Sequence, residues 1–314
     1  MRQTGNSGPL HCQILKGAVK AIIIMKKQVK KTSRLKENSA MLIFLICACI
    51  FIIALLLIIV FIFSGGAPAI SQIGLGNFLF GKEWRPENDI YGLLPMITGS
   101  ILVTLGAIIA GVPLGLLTSI FMSRFCPKKL YRVLHPFLEL LAGIPSVVYG
   151  FFGLVVMVPF IRDTFGGSGF SLLTASLLLG IMILPTVIGV SEAAISAVPQ
   201  EVYYGALALG SSHEKSVFTA VLPAAKSGVA AAVVLGIGRA VGETMAVIMV
   251  AGNQTRMPTG LLGGISTLTG NIVMEMGYAA DLHRQALIAT AAVLFAFILL
   301  INLVFALIKR RSRT

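Results

Sequence analysis

Long uncharged stretches dominate the pattern of hydrophobic and polar positions along this chain. Five of them contain no charged residue and reach or exceed the roughly 20 apolar residues that one helix needs to cross a bilayer core. They cover 41–63, 90–123, 140–161, 164–191 and 285–308. A sixth stretch, 227–255, is interrupted only by Arg239 and Glu243. The pattern therefore predicts six transmembrane segments.

These stretches are typical of helices and not of barrel strands. A membrane barrel strand is a segment of about ten residues with alternating polarity, whereas the stretches here are longer and continuously apolar. In hydrocarbon, a helix satisfies every backbone amide within its own segment. The composition agrees, because hydrophobic residues make up 56% of the chain and charged residues 12%, against roughly 25% charged residues in a soluble domain. We predict an all-α membrane protein.

The basic residues predict the orientation of the segments. The net charge is +13, which in a soluble chain would suggest nucleic-acid binding. Here Lys and Arg follow the positional bias that marks the cytoplasmic flanks of membrane helices. With the N-terminus inside, the inner segments hold 19 basic residues and the outer segments hold five. Both termini are therefore predicted to be cytoplasmic, and no nucleic-acid partner is expected.

Three regions follow one another along the chain. Residues 1–40 form a basic segment suited to anionic lipid headgroups, residues 41–308 form the membrane domain, and residues 309–314 form a basic tail. The apolar core of a signal peptide has only about 7–15 residues, so the first stretch is interpreted as an uncleaved span. Met25, which two lysines follow, is an alternative translation start. In that case residues 1–24 would not belong to the protein.

Glycine and proline interrupt the third predicted span. Gly143, Pro145 and Gly150 lie in its first half, and residues of this kind at such density predict a kinked or locally broken helix with close helix packing. Broken backbone within a membrane is tolerated only where protein or a water-filled path covers the freed polar groups.

Residues 194–223 lie between the fourth and fifth predicted spans, on the predicted cytoplasmic side. Within them, 201–209 has a helix-forming composition, and Gly210 ends that helix. A second short helix is predicted over 214–221, stopped by Pro223. The segment is either a docking element for another protein or an ordinary loop that lies on the membrane.

Two opposite charges lie within the fifth predicted span. One charged residue at a bilayer centre costs about 2.5–3.5 kcal/mol, so Arg239 and Glu243 need a reason to be there. They are four residues apart, which on a continuous helix places them on one face and within reach of an ion pair. Gly238 and Gly242 have the same spacing and would let a neighbouring helix approach closely. Thr244 follows directly.

Two interpretations of this charge pair stay open. In the first, it is a buried ion pair that locks the helix bundle. In the second, it lines a substrate path, where the guanidinium would bind a tetrahedral oxyanion through two parallel hydrogen bonds and the carboxylate would balance its charge until the anion arrives. The two interpretations are compatible, because a resting pair can open when substrate binds.

The sequence contains no motif that indicates catalysis by this chain. Its four histidines fall in loops or at span ends, no metal-binding HExxH occurs, and no nucleotide-binding GxxxxGK[ST] is present. We therefore expect no catalytic residue, no metal site and no cofactor here.

Several motifs resemble one family of membrane proteins. The segment Gly-Ile-Pro-Ser-Val-Val-Tyr-Gly-Phe-Phe-Gly-Leu at 143–154 resembles the signature of the phosphate-specific transport permeases. Gly-Arg-Ala-Val-Gly-Glu-Thr-Met-Ala-Val at 238–247, then Met-Val-Ala-Gly-Asn at 249–253, is similar to their PstC type, as is Phe-Gly-Lys-Glu-Trp at 80–84. The resemblance extends over about 41–308 and implies the fold of an ABC type I importer permease.

The segment between spans four and five resembles the inside motif of ABC importer permeases. That motif is Glu-Ala-Ala, three residues, Gly, nine residues, a hydrophobic residue, any residue, then Leu-Pro. By this resemblance, the ATPase-coupling residues are Ala206, Gly210, Leu222 and Pro223. Tyr204 and Gly205 replace the Glu and the first Ala, so the segment departs from the motif at that end.

The resemblance also implies the rest of a transport machine. The chain would be a permease subunit that translocates inorganic phosphate across the inner membrane of a bacterial or archaeal cell, beside a homologous PstA-like permease. Two PstB-like ATPase subunits would bind ATP and magnesium, and a PstS-like extracytoplasmic protein would deliver phosphate. A permease for another oxyanion, such as molybdate or sulfate, is the alternative within this class. An ion-coupled secondary carrier is the alternative outside it, and it would need an internal repeat.

Overall fold

The chain is helical over most of its described length. The computed structural model describes residues 8–311, with side chains at 41–304 and at 307. The α-helices are α1 (Gly8–Ile73), α2 (Leu75–Phe80), α3 (Leu94–Ile120), α4 (Lys128–Gly143), α5 (Ser146–Phe152), α6 (Val158–Phe165), α7 (Leu172–Ser196), α8 (Gln200–Ala208), α9 (His213–Ser216), α10 (Leu222–Gly242), α11 (Met245–Val250), α12 (Leu268–Glu275) and α13 (Asp281–Arg311). The π-helical turns are Phe121–Phe125, Gly153–Met157 and Val217–Val221. A short antiparallel hairpin pairs β1 (Trp84–Arg85) with β2 (Ile90–Tyr91).

Six helical stretches of the described residues are long and apolar enough to cross a membrane. Spans one to six are Met41–Ile73, Leu94–Phe125, Ser146–Phe165, Leu172–Ser196, His213–Gly242 and Asp281–Val304. They confirm the predicted all-α class and the predicted number of spans, and the chain is therefore a multi-pass membrane protein. The cytoplasmic placement of the termini stays a prediction. The basic tail at 309–314 and the alternative start at Met25 concern side chains outside those that the structure describes.

The chain divides into two compact units, one up to Phe61 and one from Ile62 onward. In the first unit, the side chains of 41–61 are almost all exposed, as expected for a helix that is apolar on every side and meets lipid. In the second unit, the end of α1 packs on α13. A Cβ atom built on Gly66 would lie 2.7 Å from the Cα of Ala289, so this crossing depends on the missing side chain.

Spans two and four pack against each other along most of their length. Glycines make this possible, because a Cβ atom at Gly111 would lie 2.6 Å from the carbonyl oxygen of Gly180, and one at Gly115 would lie 2.8 Å from Val187. Ile183 and Val187 are fully buried in the contact. This pair is the rigid centre on which spans three and five are arranged.

The third span is preceded by a break in the helix. Helix α4 ends at Gly143, the backbone of Ile144 and Pro145 is extended, and α5 begins at Ser146. Proline cannot donate to the preceding turn and drives the residue before it out of the helical region, which explains the position of the break. Helix α4 contains no buried residue, so it lies at the edge of this unit's core.

The fifth span differs from its predicted bounds of 227–255. It begins at His213 and runs without interruption to Gly242, so the predicted stop of a short helix at Pro223 is wrong. Proline is tolerated in the first turn of a helix, and Pro223 stands in the first turn of α10, directly after the π-turn Val217–Val221. At the other end, the backbone of Glu243 is extended, and the chain resumes as the separate helix α11.

Aromatic residues close the predicted outer end of the second unit. Trp84 is only 3% exposed; its Nε1 atom donates a 2.9 Å hydrogen bond to the carboxylate of Glu275. The same carboxylate lies 2.7 Å from Nε2 of His283. The hairpin before span two is thereby tied to α12 and to the start of span six.

Candidate functional site

Arg239 lies near the end of α10 and is half-buried. Its Nη1 atom donates a 3.2 Å hydrogen bond to Oγ1 of Thr186 in span four. Within the described residues, no carboxylate lies within 4.0 Å of it. The predicted ion pair with Glu243 is therefore wrong for this structure, and most of the guanidinium donors are left for other partners.

The carboxylate of Glu243 binds the start of the next helix. Its Oε1 atom accepts hydrogen bonds from the backbone amides of Thr244 at 3.1 Å and Ala246 at 3.2 Å. The two charges do not share one helix face, because α10 ends at Gly242, one residue before the carboxylate. Glycine is a weak helix former, and a carboxylate beside free backbone amides stabilises the start of a new helix.

Thr244 and a threonine from α12 complete the break in the fifth span. The Thr244 hydroxyl donates to the carbonyl oxygen of Gly242 at 3.2 Å. The Thr269 hydroxyl donates to the carbonyl oxygen of Glu243 at 3.3 Å. Side chains thus satisfy two of the carbonyl groups at this break, and a break inside a membrane depends on such partners.

Gly238 and Gly242 face open space. A Cβ atom built on either residue would meet no heavy atom within 4 Å. No helix of the described chain approaches these two glycines, so the expected close approach of a neighbouring helix stays a prediction. Gly143, which precedes the break before span three, is equally open; we call these three uncovered residues the open face.

Gly150 serves the contact between α5 and α11. A Cβ atom there would lie 2.6 Å from the sulfur of Met249 and 3.0 Å from the Cα of Ala246. Tyr149 beside it donates a 2.8 Å hydrogen bond to the carbonyl oxygen of Leu141, which lies before the break in span three. The two breaks are therefore held next to one another by the packing of α5 on α11.

The segment between spans four and five ends its first helix with a regular hydrogen-bonded cap. The amide of Ser211 donates to the carbonyl oxygen of Ala206, and the amide of Gly210 donates to that of Leu207. This pattern requires a left-handed residue directly after the helix end, and Gly210 has φ = +86°. Leu222 and Pro223 lie at the start of α10, well away from the turn along the chain.

Two large side chains with apolar surface are exposed on this segment. Leu209 is 89% exposed and Tyr204 is 60% exposed, on the predicted cytoplasmic side. Sequence reasoning missed Leu209, although a large apolar residue directly before a turn glycine was a usable signal. It also missed Thr186, for which the signal was a hydroxyl within an apolar span.

A cavity of about 700 Å³ opens beside the predicted cytoplasmic end of span four. Lys128, Arg132 and His135 line it, together with Tyr131 and the mostly buried Glu192. A hydrogen bond with the Glu192 carboxylate, assisted by desolvation, raises the pKa of Tyr131 to about 12. Among the described residues, no group of three or more His, Cys, Asp or Glu could hold a metal ion.

Comparison with known proteins agrees with this architecture. The family model of the binding-protein-dependent transport system inner membrane component matches residues 111–314. The probable ABC transporter permease protein YqgH of Bacillus subtilis is 40% identical over 234 residues, covering 72% of this chain and 76% of that protein. The phosphate transport system permease protein PstC of Mesorhizobium japonicum is 34% identical over 261 residues, covering 76% of this chain and 80% of that protein.

Solved structures share the fold. A chain of the MetNI methionine ABC transporter in an inward-facing conformation superposes with a TM-score of 0.57 at 20% identity, over 73% of this chain and 99% of that chain. An amino acid ABC transporter chain gives a TM-score of 0.52 at 19% identity, over 69% of this chain and 92% of that chain. With six spans, two breaks and a family match over most of its length, the chain belongs to the binding-protein-dependent transport system inner membrane components.

Proposed function

We propose that this chain is the permease subunit of an ATP-driven importer that carries inorganic phosphate across the inner membrane. Relatives whose names state phosphate transport match about three quarters of the chain at 33–35% identity. The observation that carries the proposal is Arg239, a cation in a membrane span whose charge no described carboxylate neutralises.

An uncompensated guanidinium favours an anionic substrate. Its cost within a membrane is high, and an oxyanion that passes would supply the missing charge. The planar fork of Arg239 suits a tetrahedral oxyanion, because two N–H groups can donate in parallel. Thr186 fixes one Nη atom and leaves the other donors for the substrate. In this proposal Glu243 does not compete for the guanidinium, since its Oε1 atom caps α11.

The open face supports a path at the boundary with a second permease. Extended backbone lies at Ile144 and at Glu243, and such backbone is tolerated in a membrane only beside protein or water. A homologous PstA-like permease would cover this face and enclose a polar path with it. We place Arg239, Glu243 and Thr244 along that path, with Arg239 as the residue that contacts phosphate.

The segment between spans four and five would couple the path to ATP hydrolysis. Helix α8, the turn at Gly210 and the exposed Leu209 offer a surface for a PstB-like ATPase subunit. Two such subunits would bind ATP and magnesium, because this chain has no GxxxxGK[ST] motif of its own. A PstS-like protein would deliver phosphate at the outer face.

Uptake of radiolabelled phosphate by the complete complex in liposomes tests the proposal. Replacing Arg239 with Gln should lower ATP-dependent uptake at least about 100-fold, since a charge-assisted hydrogen-bonding group is lost at the centre of the path, while the complex still assembles. The matched control is Arg162→Gln, which changes an exposed arginine already paired with Asp163. Unlabelled molybdate and sulfate serve as competitors.

Three results would contradict the proposal. Normal uptake by the Arg239→Gln complex would remove this residue from the path. Stronger competition by molybdate or sulfate than by phosphate would assign another oxyanion. Uptake that persists without ATP and follows an ion gradient would indicate a secondary carrier.

A further inference from the structure

Tyr203 and His213 link the first helix of the coupling segment to the fifth span. The Tyr203 hydroxyl and Nδ1 of His213 share a hydrogen bond of 2.8 Å, and the two rings meet edge to face with centroids 5.7 Å apart. Both residues are half-buried. Among the described residues, this is the only side-chain hydrogen bond that α8 makes to another part of the chain.

His213 also touches the end of span two. The ring of Phe125 lies against it with centroids 4.7 Å apart at an angle of 63°. Phe125 closes the π-turn that ends span two, and the neighbouring Arg124 donates a 2.7 Å hydrogen bond to the carbonyl oxygen of Ile195 at the end of span four. His213 is therefore the point at which α8, span two and span five meet.

An apolar cluster supports these three rings from the membrane side. Its buried members come from spans two, four and five and from the turn after span four: Ile120, Ile195, Val198, Val217, Val221 and Ala225. Phe125 and Tyr203 pack on the cluster. A close-packed cluster of this kind transmits a displacement of one side chain to its neighbours, because protein interiors are hardly compressible.

His213 is also the first residue of the continuous helix that carries Arg239. Ser212 caps this helix by accepting a hydrogen bond from the amide of Lys215. With a rise of 1.5 Å per residue, Arg239 lies about 40 Å along the same helix. A displacement of α8 that moves His213 therefore moves the base of the helix that holds the candidate substrate residue.

We propose that Tyr203, His213 and Phe125 form a clasp that transmits movement of α8 to spans two and five. Tyr203 and His213 are positioning residues for transport: they contact neither substrate nor nucleotide, and they make ATP hydrolysis productive. This inference rests on the proposed function, since it assumes an ATPase partner at α8. It concerns a different property, which is the number of phosphate ions imported per ATP hydrolysed.

The test compares three variants of the complete complex in liposomes. Tyr203→Phe keeps the ring and removes the hydroxyl; His213→Phe keeps a ring against Phe125 and removes Nδ1; His213→Asn keeps a polar group at the position of Nδ1. Tyr278→Phe, the same change at an exposed tyrosine on the predicted outer side, is the control. Phosphate uptake and ATP hydrolysis are measured in the same vesicles.

The ratio of phosphate imported to ATP hydrolysed decides the outcome. Loss of one hydrogen bond of ordinary net strength changes an equilibrium by about 2- to 10-fold, so Tyr203→Phe and His213→Phe should lower the ratio by that factor while ATP hydrolysis continues. His213→Asn should recover part of it. The clasp would be refuted by an unchanged ratio, including the case in which uptake and hydrolysis fall together because less complex assembles. Absence of ATP-dependent phosphate uptake by the unmodified complex would instead overturn the proposed function.

Discussion

Glycines in two regions of this protein have opposite surroundings. Between spans two and four, Gly111 and Gly115 lie so close to the partner helix that a methyl group would clash with it. On the open face, a methyl group added to Gly143, Gly238 or Gly242 would have no neighbouring heavy atom within 4 Å. The first group explains how this chain packs on itself, whereas no packing within the described part of the chain accounts for the second.

The open face marks the region in which this chain lacks a packing partner of its own. A glycine costs roughly 0.5–1 kcal/mol in a helix relative to alanine, and the close packing of spans two and four offsets that cost. On the open face nothing within the described chain offsets it. The compensation is therefore expected from outside, from a second permease or from a substrate that needs room beside Arg239.

The largest effect is expected from a side chain forced into the packed pair. Gly111→Leu should lower the thermal stability and the yield of folded protein in detergent, with a destabilisation of about 3 kcal/mol or more, because the backbone of Gly180 cannot move away. The control is Gly238→Leu, which should leave the stability of the isolated chain unchanged or raise it by up to about 1 kcal/mol, because a better helix former replaces an unhindered glycine. A loss of folded protein with Gly238→Leu would end the distinction between the two regions.

A smaller effect is expected when the charge of Glu243 is removed. Glu243→Gln keeps an oxygen that can accept from the amide of Ala246 but loses the favourable charge at the start of α11, worth about 0.3–1 kcal/mol. Uptake of phosphate should fall by less than about 10-fold, since Arg239 does not depend on this carboxylate for a partner. A loss as severe as that of Arg239→Gln would mean that the two charges act as one unit.

The smallest effect on transport is expected at a third kind of glycine, for which the backbone conformation is decisive and the free space is not. Gly210 has a left-handed backbone and open space around its Cβ position, so Gly210→Ala should cost about 1–2 kcal/mol locally without a clash. The phosphate-to-ATP ratio should fall a few-fold, because the cap that fixes α8 is weakened. Gly210→Asn should have a milder effect, since Asn tolerates this conformation better than Ala; equal ratios for both variants would argue against a conformational cause.

The number and class of the spans follow from the six long apolar stretches, because each is long enough for a membrane helix and too long and too continuously apolar for a barrel strand. The break at Ile144–Pro145 could also be predicted from the sequence, since proline restricts the backbone of its immediate neighbours. Local rules of this kind need no knowledge of the rest of the fold.

The geometry of the fifth span could not be predicted from such local rules. The prediction of an ion pair assumed that the helix continues past Gly242, and nothing in the spacing of Arg239 and Glu243 reveals that it ends there. The end depends on tertiary partners: Thr269 from α12 binds the carbonyl of Glu243, and Thr186 from span four binds Arg239. A periodic pattern describes the face of a helix only as far as the helix extends.

The π-turn at Val217–Val221 determines the direction in which Arg239 points. A π-turn accommodates one residue more than a regular helical turn, and one residue corresponds to a rotation of about 100°. Everything beyond Val221 therefore lies about 100° away from the azimuth that it would have on an uninterrupted α-helix starting at His213. If the extra residue were absorbed into regular helix during a transport cycle, the guanidinium would turn away from Thr186 by about that angle and move about 1.5 Å along the helix axis, with no hinge.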